Sequence, residues 1–126
     1  MSPARRSRSK IQEFSELQFR LRITHKGEIA FGPGKAALLT AIQNHGSIAR
    51  ASKNLGMSYM RAWSLVRVMN RSFRAPLVES LRGGKSGGGA QLTKSGRKVL
   101  ALYRGMEEQA QDAVAVSWAK LRRELK

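Results

Sequence analysis

Residues 46–71, GSIARASKNLGMSYMRAWSLVRVMNR, decide the fold. Taking Gly56 as the pivot puts small or apolar side chains where two crossed helices must bury them: Ala51 and Leu55 before it, Met57, Ala62 and Leu65 after it. Ser52 falls where the helices cross, a slot that admits only a small side chain. Ser47 and Ser58 stand where a hydroxyl can accept from the backbone N–H groups of a helix's first turn. Beyond Ser58, Arg61, Ser64, Arg67 and Arg71 recur at three- and four-residue spacing. They therefore share a face opposite Ala62, Leu65, Val66 and Met69. One face packs and the other is basic, and the short helix, glycine turn and longer helix have the layout of a helix-turn-helix.

An arginine-bearing helix face is most often a solvated surface and nothing more. The whole chain weighs against that: 24 Lys and Arg against 8 Asp and Glu leave a formal net charge of +16 on 126 residues. Solubility asks far less of a small domain. Such charge implies a polyanionic partner, because each phosphate neutralised releases condensed counterion. A membrane surface fits less well. No apolar run approaches the length of a spanning helix, and no basic amphipathic segment has a clean aromatic face. The first ten residues, MSPARRSRSK, lack the apolar core of a secretory signal. These features point to a cytoplasmic protein that binds double-stranded DNA and no membrane.

Outward from the central stretch, residues 1–16 read as a basic, disordered arm, 17–93 as the DNA-binding domain and 94–126 as a long C-terminal helix. LQFRLRIT, from Leu17, alternates apolar and polar side chains, as does EIAF, with His25, Lys26 and Gly27 between them. That predicts a β-hairpin with Leu17, Phe19, Leu21 and Ile23 facing the core and Arg20 and Arg22 facing water or an acidic partner. KAALLTAIQNHG predicts a helix of about three turns closed by Gly46. The third helix is expected from Ser58 to about Phe73, before Pro76. LVESLR and AQLT flank GGKSGGG, two short strands and a flexible tip, the shape of a wing. In the last helix Tyr103, Met106, Ala110, Ala113, Ser117, Leu121 and Leu125 form a seam at three- and four-residue intervals. The fold class expected is α+β, mainly α: a winged helix-turn-helix with an N-terminal β-hairpin and a long C-terminal helix suited to dimerisation.

Nothing assembles into a catalytic centre. There is no cysteine, and His25 and His45 have no carboxylate pattern beside them, so no metal site is expected. Gly84, Lys85 and Ser86 imitate the end of a phosphate loop, but Glu79 occupies the place of its first glycine. Gly32, Pro33, Gly34 and Ala37 imitate a dinucleotide fingerprint without a parallel βαβ unit or a closing acidic residue. Glu107, Glu108 and Asp112 on one helical stretch are explained by pairing with nearby basic residues. No nucleophile, base and orienting group remain to be combined, so the chain is not expected to be an enzyme.

GSIARASKNLGMSYMRAW, Met69 and Asn70, LVES, GGKSGGGAQLT and the later LALY together resemble the N-terminal DNA-binding region of the molybdate-responsive (ModE-type) transcription regulators, over roughly residues 17–115. The resemblance implies a homodimer, joined through the last helix, on a palindromic operator. By position it implies that Ser58, Tyr59, Met60, Arg61, Ser64, Arg67 and Arg71 approach the DNA from the recognition helix. Ser47 and the wing residues Lys85, Ser86 and Gly87 would approach phosphate, and Tyr103, Met106, Ala110, Ala113 and Leu121 would form the dimer interface. Trp63, near the edge of the packed face, is expected in the core or a helix contact. Full-length members of the family sense molybdate or tungstate through a C-terminal region. The sequence given ends at Lys126, so neither oxyanion is expected to bind this stretch: the protein is a regulator without its own sensor, or an oxyanion acts through a separate sensing partner, or the sensing region lies outside this sequence. Two alternatives remain. One is an architectural, nucleoid-type protein that coats DNA with little preference; the other is a small oxyanion-binding protein that uses the glycine-rich loop as an anion nest.

Overall fold

The computed structural model describes residues 14–81 and 88–126. The basic arm through residue 13 and the wing tip at 82–87, with Lys85, Ser86 and Gly87, lie outside the described residues. The described residues divide into two compact units, one within Arg20–Glu107 and the other, from the two ends of the chain, residues 14–19 with Glu108–Lys126.

The larger unit opens with an antiparallel hairpin of β1 (Ile23–His25) and β2 (Glu28–Phe31). Its two-residue turn has Lys26 at φ 51° and Gly27 at φ 83°, the paired left-handed geometry that suits strand twist. The ladder is shorter than the sequence pattern predicts, because β2 ends at Phe31 and the chain turns through Gly32 into Pro33. Among the described residues no strand pairs with 17–22. Their alternation survives without pairing: Leu17, Phe19, Leu21 and Ile23 are half-buried while Gln18, Arg20 and Arg22 are exposed.

Helix α1 (Pro33–His45) begins with proline in its first turn, where no N–H is needed, and starts two residues before the expected lysine. It stops at Gly46, whose left-handed φ of 79° aims its N–H at the Ile42 carbonyl, 2.8 Å away. Helix α2 (Ile48–Leu55) follows at once and ends at Gly56, φ 69°. There Gly56 N–H donates to Lys53 and Met57 N–H to Ser52, the pair of bonds that turns a chain sharply out of a helix. Helix α3 (Tyr59–Ser72) completes the helix-turn-helix.

Beyond it, β3 (Val78–Leu81) and β4 (Gly89–Leu92) form the base of the wing, in register from Val78 opposite Leu92 to Leu81 opposite Gly89. Ala90 N–H donates to the Gly46 carbonyl at 2.9 Å, which ties β4 to the turn between α1 and α2. Helix α4 (Lys94–Arg122) starts behind Thr93. Thr93 Oγ1 accepts from Gly96 N–H at 2.9 Å and donates to Pro76 O at 2.6 Å, while Thr93 N–H donates to Leu77 O.

The core gathers Phe31, Leu38, Leu39, Ile42, Ala51, Ala62, Val66, Met69 and Leu77. It does not stop at residue 93, since Gly96, Leu100 and Tyr103 from α4 are also buried. Tyr103 corrects the sequence reading. It is only 1% exposed in the single chain, its ring meets Phe31 edge-on at 5.0 Å, and its hydroxyl donates to Leu21 O at 2.7 Å. A side chain so enclosed has no surface to offer a dimer. Its spacing placed it on the seam because the helix lays the same stripe first against its own domain.

Candidate nucleic-acid interface

The exposed side of α3 follows from its own sequence. Ala62, Val66 and Met69 are buried, and at 100° per residue the opposite side carries Met60, Ser64, Arg67 and Arg71, all exposed. Ser58 caps the helix, its Oγ accepting from Arg61 N–H at 3.0 Å, and Ser47 caps α2 by accepting from Arg50 N–H at 3.0 Å. The cap fixes where α3 begins, and with it the rotation of every residue in the first turn. Ser52 is 4% exposed and satisfies its hydroxyl on the Ala49 carbonyl, so the crossing of α2 with α3 carries no unpaired polar group.

The other edges of α3 face different partners. Asn70 binds the start of β3 with its whole amide: Oδ1 accepts from Leu77 N–H at 2.8 Å and Val78 N–H at 3.2 Å, and Nδ2 donates to Val78 O at 3.1 Å. The base of the wing is thereby fixed to α3. Tyr59 and Trp63 lie on the same side of α3 as Asn70, and both retain surface, 47% and 37%. Trp63 is thus an edge residue, more open than the core or helix contact expected of it. On the other flank, Arg61 lines a groove with Arg20, Arg22 and Lys35.

Arg71 has an intramolecular partner that the sequence did not reveal. Its Nη2 lies 3.0 Å from Glu28 Oε2, with the two side chains 58% and 43% exposed. An exposed pair of this kind contributes at most about 1 kcal/mol, so a phosphate can compete for the guanidinium. Lys35 is the unusual cation. It is 8% exposed and donates from Nζ to Ile29 O. Burial holds its pKa below the usual lysine value, the Glu28 charge works in the opposite direction, and Arg71 adds to the lowering.

Between Glu28 and Glu79 the chain has not one acidic residue, so α1, α2 and α3 contain none. The surface that carries Met60, Ser64 and Arg67 is therefore positive, with only its Arg71 end paired to a carboxylate, that of Glu28. Of the residues expected at the dimer seam, Met106 is exposed at 44%, Leu121 at 56%, Ala113 is exposed and Ala110 half-buried. Among the described residues no helix is long and apolar enough to cross a membrane, and no three His, Cys, Asp or Glu side chains gather as metal ligands.

The residues missed by sequence reasoning are Asn70 as the brace of the wing, Glu28 as partner of Arg71, and Lys35 with Arg20 and Arg22 beside Arg61. Only the contrast of Lys35 with its apolar neighbours in KAALL hinted at any of them.

Comparison with known proteins matches these elements. The chain is 42% identical over 85 residues to the molybdenum transport protein ModE of Azotobacter vinelandii, covering 68% of this chain and 32% of that protein. It is 46% identical over 76 residues to the molybdenum-pterin-binding protein MopB of Rhodobacter capsulatus, covering 60% of this chain and 28% of the relative. It is 42% identical over 71 residues to the DNA-binding transcriptional dual regulator ModE of Escherichia coli K12, covering 56% and 27%. The matched segment thus spans less than a third of each of these relatives. Residues 35–97, from the first turn of α1 to the first turn of α4, match the model of the bacterial regulatory helix-turn-helix proteins of the lysR family, and with its ModE-like helix-turn-helix and wing base the chain belongs to that family.

Proposed function

We propose that this chain binds double-stranded DNA through α3 and regulates transcription, as a homodimer on a two-fold symmetric operator. The observation that carries the reading is the Ser58-capped helix whose open face holds Met60, Ser64 and Arg67, on a surface with no carboxylate between Glu28 and Glu79. Arginine suits a bidentate grip on guanine O6 and N7, worth about 1–3 kcal/mol of discrimination per good contact. Arg61, in the first turn, is the first candidate for such a contact. Arg67 and Arg71 grip the backbone, and Tyr59 donates to phosphate or packs on a thymine methyl. Ser47 and Lys85, with Ser86 and Gly87, supply flanking phosphate contacts. The names of the relatives associate them with molybdenum, so molybdenum-related genes are the first place to seek the operator.

Selection of bound sequences from a random duplex pool tests this directly. A two-fold symmetric motif with half-sites about one helical turn apart, or a multiple, is expected from paired recognition helices. In competition at physiological salt the selected site should outbind random duplex by roughly a thousandfold or more. Equal affinity for both would instead assign the protein to the architectural class that its charge of +16 also suits. Arg61→Ala should relax the selected motif; equal losses on selected and random duplex would remove Arg61 from the reading set. The companion proposal, that this stretch binds neither molybdate nor tungstate, is tested by calorimetry with each oxyanion, where tight stoichiometric binding would refute it.

A further inference from the structure

A groove of about 300 Å³ opens between the lead-in to β1, the first turn of α1 and the first turn of α3. Four basic side chains from these three segments line it, Arg20, Arg22, Lys35 and Arg61, with Ile29 and Leu65 among its apolar walls and no carboxylate in its lining. We propose that this groove is a phosphate seat, a built site for one backbone phosphate of the duplex beside the contacts of α3. The proposal rests on the reading of α3 as the DNA-facing helix.

The fold holds the cations in place individually. Arg20 and Arg22 are two apart and both exposed, flanking half-buried Leu21, the alternation that puts them on one side of the chain, and both line the groove. The Leu21 carbonyl is pinned by the Tyr103 hydroxyl. Gly32 lies against the Arg22 backbone and side chain, close enough that an added Cβ would stand 3.5 Å from Arg22 Cγ. Lys35 commits one of its three ammonium donors to Ile29 O, which leaves two for a ligand. Glu28, the carboxylate that acts on Lys35 among the described residues, is itself paired with Arg71.

The arrangement is costly as a purely structural device. Burial disfavours the charged lysine and the Arg71 charge adds to the lowering, as its lowered pKa records. A methionine would fill the Lys35 site without that cost. An anion seated among the four offsets both penalties, and guanidinium groups match phosphate oxygens in pairs. Arg61 is exposed on the flank of α3 between the groove and the face of Met60, Ser64 and Arg67, so a phosphate here lies beside the face that would meet the bases. The seat would thereby set the depth and rotation of α3 on the duplex, as phosphate contacts do when they position a reader without carrying sequence information.

The test uses the full chain, the duplex recovered by selection, and Arg22→Gln with the double variant Arg20→Gln/Arg22→Gln. Both arginines are exposed, so thermal unfolding should match wild type and keep the binding data interpretable. Affinity for selected and random duplex should fall by the same factor, and the slope of log affinity against log salt should flatten by about one for each phosphate no longer held. A neutral methylphosphonate moved along the backbone should find one position per half-site that weakens wild type about tenfold and leaves the double variant unaffected, since the double variant has no grip on that phosphate to lose. An unchanged salt slope, or methylphosphonate sensitivity retained in the double variant, overturns the seat while leaving DNA binding intact. Wild type that binds no duplex overturns the reading of α3 as well. Titration with inorganic phosphate is the remaining arm. Tight binding in the absence of duplex, abolished in the double variant, would give the groove to a free oxyanion and overturn its assignment to DNA.

Discussion

Gly96 shows at the scale of one residue how closely this domain is built. It occupies the first turn of α4, and a Cβ added there would fall 2.1 Å from Leu77 O and 3.0 Å from Leu77 C. Neither atom can yield, because Leu77 O accepts from Thr93 N–H and Leu77 N–H donates to Asn70. Gly96→Ala is therefore expected to cost at least about 1–3 kcal/mol, the range of forced overpacking, although alanine is the better helix former. A midpoint in urea equal to wild type would refute this. Tyr103 gives a second prediction at this scale. Burial raises its pKa, and the Glu107 charge raises it further. A folded-state pKa above the unfolded value means stability is fully present below about pH 10 and is lost as pH rises toward the folded value. Tyr103→Phe should lose about 1 kcal/mol at neutral pH, by leaving Leu21 O without its donor, and should lack the Tyr103 share of the alkaline decline. Parallel stability curves from pH 8 to 11 would contradict the assignment.

Elements with local signals were legible in the sequence, and those fixed by distant partners were not. Ser47, Gly56 and Ser58 each act within three to five residues of themselves, so the boundaries of α2 and α3 could be read from spacing alone. The strand expected from Leu17 has the right alternation but no partner over most of its length, and alternation cannot report what lies opposite. Tyr103 bonds to Leu21 across 82 residues, and Arg71 to Glu28 across 43, separations at which periodicity carries no information. The union of α3 with the wing belongs to this second kind. Asn70 satisfies three backbone groups where β3 begins, one at Leu77 just before the strand and two at Val78, both residues buried, that would otherwise be left without partners. Asn70→Ala should destabilise the domain by about 1–3 kcal/mol through those orphaned groups. Amide exchange at Val78 should accelerate more than at Ile42 in α1. Uniform acceleration at both would show that Asn70 supports the whole core and does not specifically brace the wing.

At the scale of the whole molecule, charge is segregated along the chain. Glu108–Lys126 holds three acidic residues, Glu108, Asp112 and Glu124, against the basic Lys120, Arg122, Arg123 and Lys126, whereas nearly all of the net +16 lies before it. The same segment exposes Val116 at 70%, Leu121 at 56% and Leu125 at 50%. A near-neutral, apolar helical end can associate with a second copy by burying that surface, which depends little on salt. Phosphate contacts made by the basic unit depend on salt steeply. The proposed dimer and the proposed DNA complex should therefore separate experimentally. Between 50 and 200 mM salt, affinity for the selected duplex should fall about a thousandfold if six or more phosphates are held. The monomer–dimer constant from sedimentation equilibrium should meanwhile change by no more than about threefold, as expected for association through apolar surface. Leu121→Arg should have the converse effect: it places unpaired charge in the seam, shifts the chain to monomer, and reduces binding to a two-half-site duplex to that of a single half-site. If Leu121→Arg remains dimeric, the seam does not join the copies; if the dimer dissociates as steeply with salt as the DNA complex, ion pairs and not the exposed apolar side chains hold it together.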